Sequence, residues 1–169
     1  MTPLNDKDYL FNVGSSILDS VGQALACIGI DVPSRKFVGF DRPPQDCCPE
    51  LVCWIGNIRP WDGDFPDTRT SGRLLVHNAY AFDVTIRIGR CYVDSGENGD
   101  PIDEGTLQDW GKLLYQDIRA IYFGWVEQWR AGNVSELQNF ELVTVGNCTQ
   151  YTSGGCAGNE FVITIGTFG

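Results

Sequence analysis

Apolar residues return at steps of three and four along residues 6–28: Leu10, Val13, Ile17, Val21, Leu25 and Ile28. That spacing keeps them on one side of a 3.6-residue turn and predicts an amphipathic helix with a single buried stripe. Asn5 suits the N-cap, Asp8 suits the first turn where the helix dipole favours negative charge, and Gly29 suits the stop. A second stretch with helical spacing covers residues 106–131 through Leu107, Trp110, Leu114, Ile118, Ile121, Trp125 and Trp129. Thr106 and Asp109 occupy N-cap and N3 positions, and Gly132-Asn133 closes the segment. The aromatic stripe reads as core rather than as a binding box. Gly111 and Gly124 within it point to close packing or a bend.

Between the helices the period changes to two. Residues 79–93 alternate, with Tyr80, Phe82, Val84, Ile86, Ile88 and Tyr92 on one side and Ala79, Ala81, Asp83, Thr85, Arg87 and Gly89 on the other. A strand this long and half polar belongs in an antiparallel sheet, with its second face turned to solvent or a neighbour. Two shorter strands are predicted at residues 36–40 and 51–55, separated by the rigid Asp41-Arg42-Pro43-Pro44-Gln45-Asp46. The second is apolar on both sides, as a strand inside a sheet would be. A final hairpin is predicted from residues 140–145 and 160–168. Residues 59–73, rich in proline, glycine and aspartate, form no regular element and read as a long exposed loop or arm.

The order is helix, two strands, arm, strand, helix, two strands. Without regular β-α-β alternation, the fold class is α+β. The expectation is a single domain over residues 1–169, in which a mostly antiparallel β-sheet packs against two amphipathic helices with a long extended loop or arm. Apolar residues make up 43% of the chain, enough for a core and far from a disordered composition.

The formal net charge of −10 argues against gripping nucleic acid through phosphate neutralisation, which needs clustered Lys and Arg. An acidic surface repels DNA and also keeps a protein soluble. The first residues carry no basic and apolar leader pattern, and no apolar run approaches the ~18 residues that span a bilayer. A soluble chain made in the cytosol, with no membrane partner, is expected.

Candidate chemistry is sparse. The single histidine, His77, has no serine or cysteine partner in a recognisable pattern, and Gly-x-Ser-x-Gly, His-Glu-x-x-His and P-loop motifs are missing. Asp62, Asp64 and Asp67 begin like a calcium loop but lack its later glycine and glutamate. Seven cysteines without a Cys-x-x-Cys spacing make no zinc pattern. Cys27, Cys53 and Cys91 read as small buried thiols, and the vicinal Cys47-Cys48 pair is the one redox candidate for an enzyme. Cys148 and Cys156 flank a turn-forming run, and a disulfide between them is possible in an oxidised, released particle.

Three segments carry a family resemblance: Arg35-Lys36-Phe37-Val38, Asp46-Cys47-Cys48-Pro49-Glu50-Leu51-Val52-Cys53, and Ile86-Arg87-Ile88-Gly89-Arg90-Cys91-Tyr92-Val93. An Asp-Cys before one strand and an Arg-Cys closing a later one resemble neck proteins of tailed phages infecting actinobacteria, namely tail terminators. Cys48, Cys148, Cys156 and the long arm depart from that pattern. The resemblance implies a structural virion protein, synthesised in the host cytoplasm, that forms a hexameric ring. The ring would end the tail tube and join it to the head, with the tail tube protein and the head-to-tail connector or stopper protein as partners. DNA would pass through the lumen without specific binding, past some of the 22 acidic residues, and no catalysis, metal or cofactor is implied. The head-closure or stopper protein of the same neck and a non-viral binding module stay open as alternatives.

Within this reading Trp61, Phe65, Arg69 and Arg73 on the arm are the candidate subunit contacts. Deleting residues 60–73 is expected to leave a folded monomer that no longer assembles, read by circular dichroism and light scattering. Tailed particles forming normally with the deleted chain would refute the assignment.

Overall fold

The computed structural model describes residues 8–39, 41–42, 49–60, 80–92, 99–153 and 155–167. Helix α1 spans Tyr9–Cys27 and buries Val13, Ile17, Leu18, Val21 and Leu25. Its end is a Schellman turn: Gly29 adopts φ 75°, its amide donates to Ala26 O at 3.0 Å, and the Ile30 amide donates to Leu25 O at 3.0 Å. That turn explains one departure from the predicted stripe. Ile28 is thrown outward, 48% exposed, and Ile30 folds back onto the core in its place. Asn5 lies outside the described residues, and Asp8 at the N-cap position makes no side-chain capping bond.

Among the described residues, five strands form one sheet: β1 (Arg35–Gly39), β2 (Glu50–Pro60), β3 (Tyr80–Cys91), β4 (Phe140–Ser153) and β5 (Cys156–Thr167), in the order β1-β2-β3-β5-β4. Every pairing is antiparallel except β1 with β2, which is parallel. The sheet is therefore mostly antiparallel and the fold α+β, with both helical segments on one face. The even residues of β3, Phe82, Val84, Ile86 and Ile88, meet Leu51 and Cys53 of β2 and Phe161, Ile163 and Ile165 of β5 under the helices.

Three boundaries differ from the sequence reading. Arg59 and Pro60, assigned to the arm, are the last residues of β2, because a bulge between Gly56 and Arg59 lets the strand continue against β3. The rest of the arm lies outside the described residues. Residues 146–153 and 156–159, read as a broad turn, are strand, and only positions 154 and 155 separate β4 from β5. Their Gly, Ser, Thr and Asn content resembles a loop, but two bulges in β4 absorb the irregularity.

The second helical segment runs as α2 (Glu104–Arg119), a π-helical stretch over Ala120–Val126, and α3 (Glu127–Arg130). Asp103, not Thr106, is the N-cap: its carboxylate accepts from the Thr106 amide at 2.9 Å and hydroxyl at 2.6 Å. The same bonds hold the Asp103 carboxyl below its ordinary pKa. Leu107 is consequently in solvent, and the packed stripe begins at Trp110, edge-on to Tyr92. The wider π turns re-aim the following residues so that Ile121, Trp125 and Trp129 stay buried. Trp125 donates Nε1–H to Ser20 Oγ at 2.7 Å, tying the segment to α1, and a Cβ added at Gly124 would stand 4.0 Å from Ala24 Cβ.

Among the polar contacts that bridge the layers, Asn159 Nδ2–H donates to Leu114 O at 3.0 Å, Tyr122 Oη–H donates to Gly146 O at 2.7 Å, and one is a buried ion pair. Arg90 of β3 donates Nε–H and Nη2–H to the two oxygens of Asp117 on α2, at 3.1 and 2.6 Å, and Nη1–H to Asp31 O at 2.7 Å. Asp117 is fully buried, and burial pushes its carboxyl above the ordinary range against the pull of Arg90. Removing one partner strands the other charge, so Arg90→Met is expected to lose about 3–5 kcal/mol in urea unfolding. Arg90→Met with Asp117→Leu should recover most of that loss. A single variant as stable as the parent would show that the pair does not hold the layers.

Candidate functional site

The arm contacts named from sequence, Trp61, Phe65, Arg69 and Arg73, lie outside the described residues, but the strands that carry the arm do not. Pro60 and Tyr80 are register partners, so the intervening chain leaves and returns at adjacent positions of β2 and β3. Just before Pro60, Asn57 adopts φ 49°, a left-handed conformation tolerated by asparagine, and Ile58 is turned into solvent, 52% exposed. Asp83 of β3 locks this bulge. It accepts from Asn57 Nδ2 at 3.0 Å, Arg59 Nη1 at 3.2 Å and Thr164 Oγ1 at 2.8 Å, and Arg59 also donates to Asn57 O. Three strands thus meet at one carboxylate beside Pro60, in a shallow depression lined by Asn57, Ile58, Arg59 and Asp83.

On the same face of the sheet, away from the helices, Arg87 is fully buried where the alternation predicted solvent or a neighbour. Its Nη2 lies 2.7 Å from Glu50 Oε1 and its Nη1 3.7 Å from Glu160 Oε1, while Arg42 reaches Glu160 at 3.1 Å. The guanidinium sits 5.6 Å from the Trp54 ring centre and 5.9 Å from that of Tyr151. Such placement over aromatic faces offsets lost hydration. Tyr151 reaches this position from β4 by lying across Gly158 of β5 and Gly89 of β3. A Cβ at Gly158 would overlap the Ile88 carbonyl oxygen, and one at Gly89 would stand 2.9 Å from Tyr151 Oη. The two strand glycines were the sequence signal for this close approach. Burial raises the Tyr151 pKa, so the phenol stays protonated.

The thiols sort differently from expectation. Cys53 is buried as predicted, and burial pushes it up to about 12. Cys27 and Cys91 are exposed. The possible Cys148–Cys156 disulfide is overturned: both are free thiols, Cys148 pairs with Phe161 on the helix-facing side, and Cys156 pairs with Ser153 at the other end of the hairpin. Five positions of strand separate them, roughly 17 Å at the usual rise, and they project to opposite faces. His77, Cys47, Cys48 and the Asp62, Asp64 and Asp67 cluster lie outside the described residues. Among the described residues, no group of three or more His, Cys, Asp or Glu is placed to hold a metal.

Further contact surface comes from apolar side chains left outside. Phe11 stands 58% exposed beside a groove lined by Leu10, Val38, Gly39 and Ile55, next to the outer edge of β1. Tyr115 and Phe123 are exposed on the second helical segment. Among the described residues, the outer edges of β1 and β4 pair with no strand.

The glycine and tyrosine arrangement separates two kinds of substitution. Gly158→Ala is expected to destabilise by about 1–3 kcal/mol, because the backbone must move to admit the methyl group. Tyr151→Phe should change stability by less than ~0.5 kcal/mol or raise it, since the buried Oη has no hydrogen-bond partner among the described residues. Urea denaturation of both variants decides, and a tolerated Gly158→Ala would contradict the packing described. No family model matches the chain, and no curated protein matches it.

Proposed function

We propose that this chain is a structural subunit of a siphophage neck, a tail terminator whose copies form a ring that ends the tail tube and joins it to the head connector. The observation that supports this most is the locked arm root. A folded unit whose core is closed by its own helices carries a long insertion at Pro60 and Tyr80, with Asp83 fixing the strand that launches it. An arm on a rigid base suits a subunit that must engage a neighbour at a set angle. The exposed Phe11, Tyr115 and Phe123 and the two sheet edges provide further area for homo-oligomeric contact. A net charge of −10 suits a lumen through which DNA slides without being held. Catalysis and cofactors have no place in this reading.

The test is co-expression with a siphophage tail tube protein, followed by electron microscopy and light scattering. The expected result is a hexameric ring seated on tubes of uniform length. Asp83→Ala should lower the yield of capped tubes at least several-fold while the purified monomer keeps a cooperative melt. A ring that binds the portal-adaptor side and ignores the tube would make the chain the stopper instead. A chain that stays monomeric or dimeric and leaves the tubes uncapped would place it outside the neck.

A further inference from the structure

Cys91 ends β3 and Cys156 begins β5, and the two are direct register partners. The adjacent pair fixes the kind of position they occupy. Tyr92 N–H donates to Gly155 O at 2.8 Å, so Tyr92 and Gly155 form a hydrogen-bonded pair. Alternation along an antiparallel ladder then makes Cys91 and Cys156 a non-hydrogen-bonded pair, the kind whose Cα atoms approach to about 4.5 Å with side chains close on one face. That separation falls inside the range a disulfide spans. The other thiols among the described residues are elsewhere: Cys53 is buried beneath α1, Cys148 is on the opposite face of the sheet, and Cys27 ends α1.

We propose that Cys91 and Cys156 are an oxidation site that closes into a cross-strand disulfide joining β3 to β5. Cys91 is exposed and Cys156 is 4% exposed, which sets the order of events. The Cys91 thiolate attacks one sulfur of a small disulfide such as oxidised glutathione, and the S–S bond breaks to release one small thiolate, which takes up a proton. Cys156 then loses its proton and attacks the Cys91 sulfur of the mixed disulfide, expelling the second small thiolate. Two protein thiols are oxidised, and one small disulfide is reduced to two thiols. The reducing cytosol reverses the exchange, and an oxidising exterior favours it. The bond closes a loop containing the whole second helical segment and β4, so it restrains the unfolded chain strongly. The inference goes beyond the neck reading and does not depend on ring formation.

The experiment uses the full chain, folded and without denaturant, incubated with oxidised glutathione, alkylated, and cleaved unreduced with chymotrypsin. Cutting at Tyr151 separates Cys148 from Cys156. Mass spectrometry is expected to find a Cys91 peptide joined to a Cys156 peptide, and the melting temperature to rise by at least ~5 °C, reversed by dithiothreitol. Cys148→Ser should keep the linkage. Cys156→Ser should lose it and retain glutathione on Cys91, a product that shows the protein is folded and Cys91 reactive. Wild-type protein that accumulates glutathionylated Cys91 without closing, or that links Cys156 to a different cysteine, overturns the proposal.

Discussion

Strand β3 carries two buried arginines three residues apart, and a strand puts such residues on opposite faces. Arg90 points under the helices to Asp117 and Asp31, whereas Arg87 points away from them to Glu50, Glu160 and two aromatic rings. A buried guanidinium without partners costs several kcal/mol, and neither arginine could find its partners from the other face. A one-residue slip of β3 would exchange the two faces and strand both charges at once. The pair therefore specifies the register of the central strand more than it adds stability.

Both ends of β3 inherit that register. At one end it brings Tyr80 opposite Pro60 and Asp83 within reach of Asn57, Arg59 and Thr164, which ties the bulge of β2 to two other strands. At the other it brings Cys91 opposite Cys156, beside the Tyr92 and Gly155 pair. The helices add the second constraint. The π-helical turns let Ile121, Trp125 and Trp129 reach the core while α2 still presents Asp117 to Arg90.

The periodic features were legible in the sequence because burial alone dictates them. The stripe from Val13 to Leu25, the alternation of Phe82 to Ile88, and the element order all follow from placing apolar atoms out of water. What was not legible depends on partners distant in the chain. Arg87 reads as a solvent residue until Glu50, Trp54 and Tyr151 arrive from two other strands. Thr149, Gln150 and Asn159 read as turn because their strand character comes from pairing across the hairpin. The possible disulfide between Cys148 and Cys156 relied on a wide turn, and the strands extend through that run and set the thiols apart on opposite faces. The arm is legible only as composition, and its four named contacts lie beyond the described residues.

Among the described residues, the two outer strands of the sheet differ. β1 is five residues long and carries Arg35 and Lys36, whereas β4 is fourteen residues long, interrupted by two bulges, and carries Glu141. Bulges twist a strand away from flat pairing, so two copies of β4 are poorly matched to each other. Two-fold contact through the outer edge of β4 is thereby disfavoured, and the proposed ring would need head-to-tail contacts between unlike surfaces. Contacts of that kind close into rings when the rotation allows and otherwise run on as filaments. In the proposed ring, the bulge that Asp83 bonds beside Pro60 and Tyr80 is where the following segment would take its direction, so that rotation would be set there rather than by the strength of any edge.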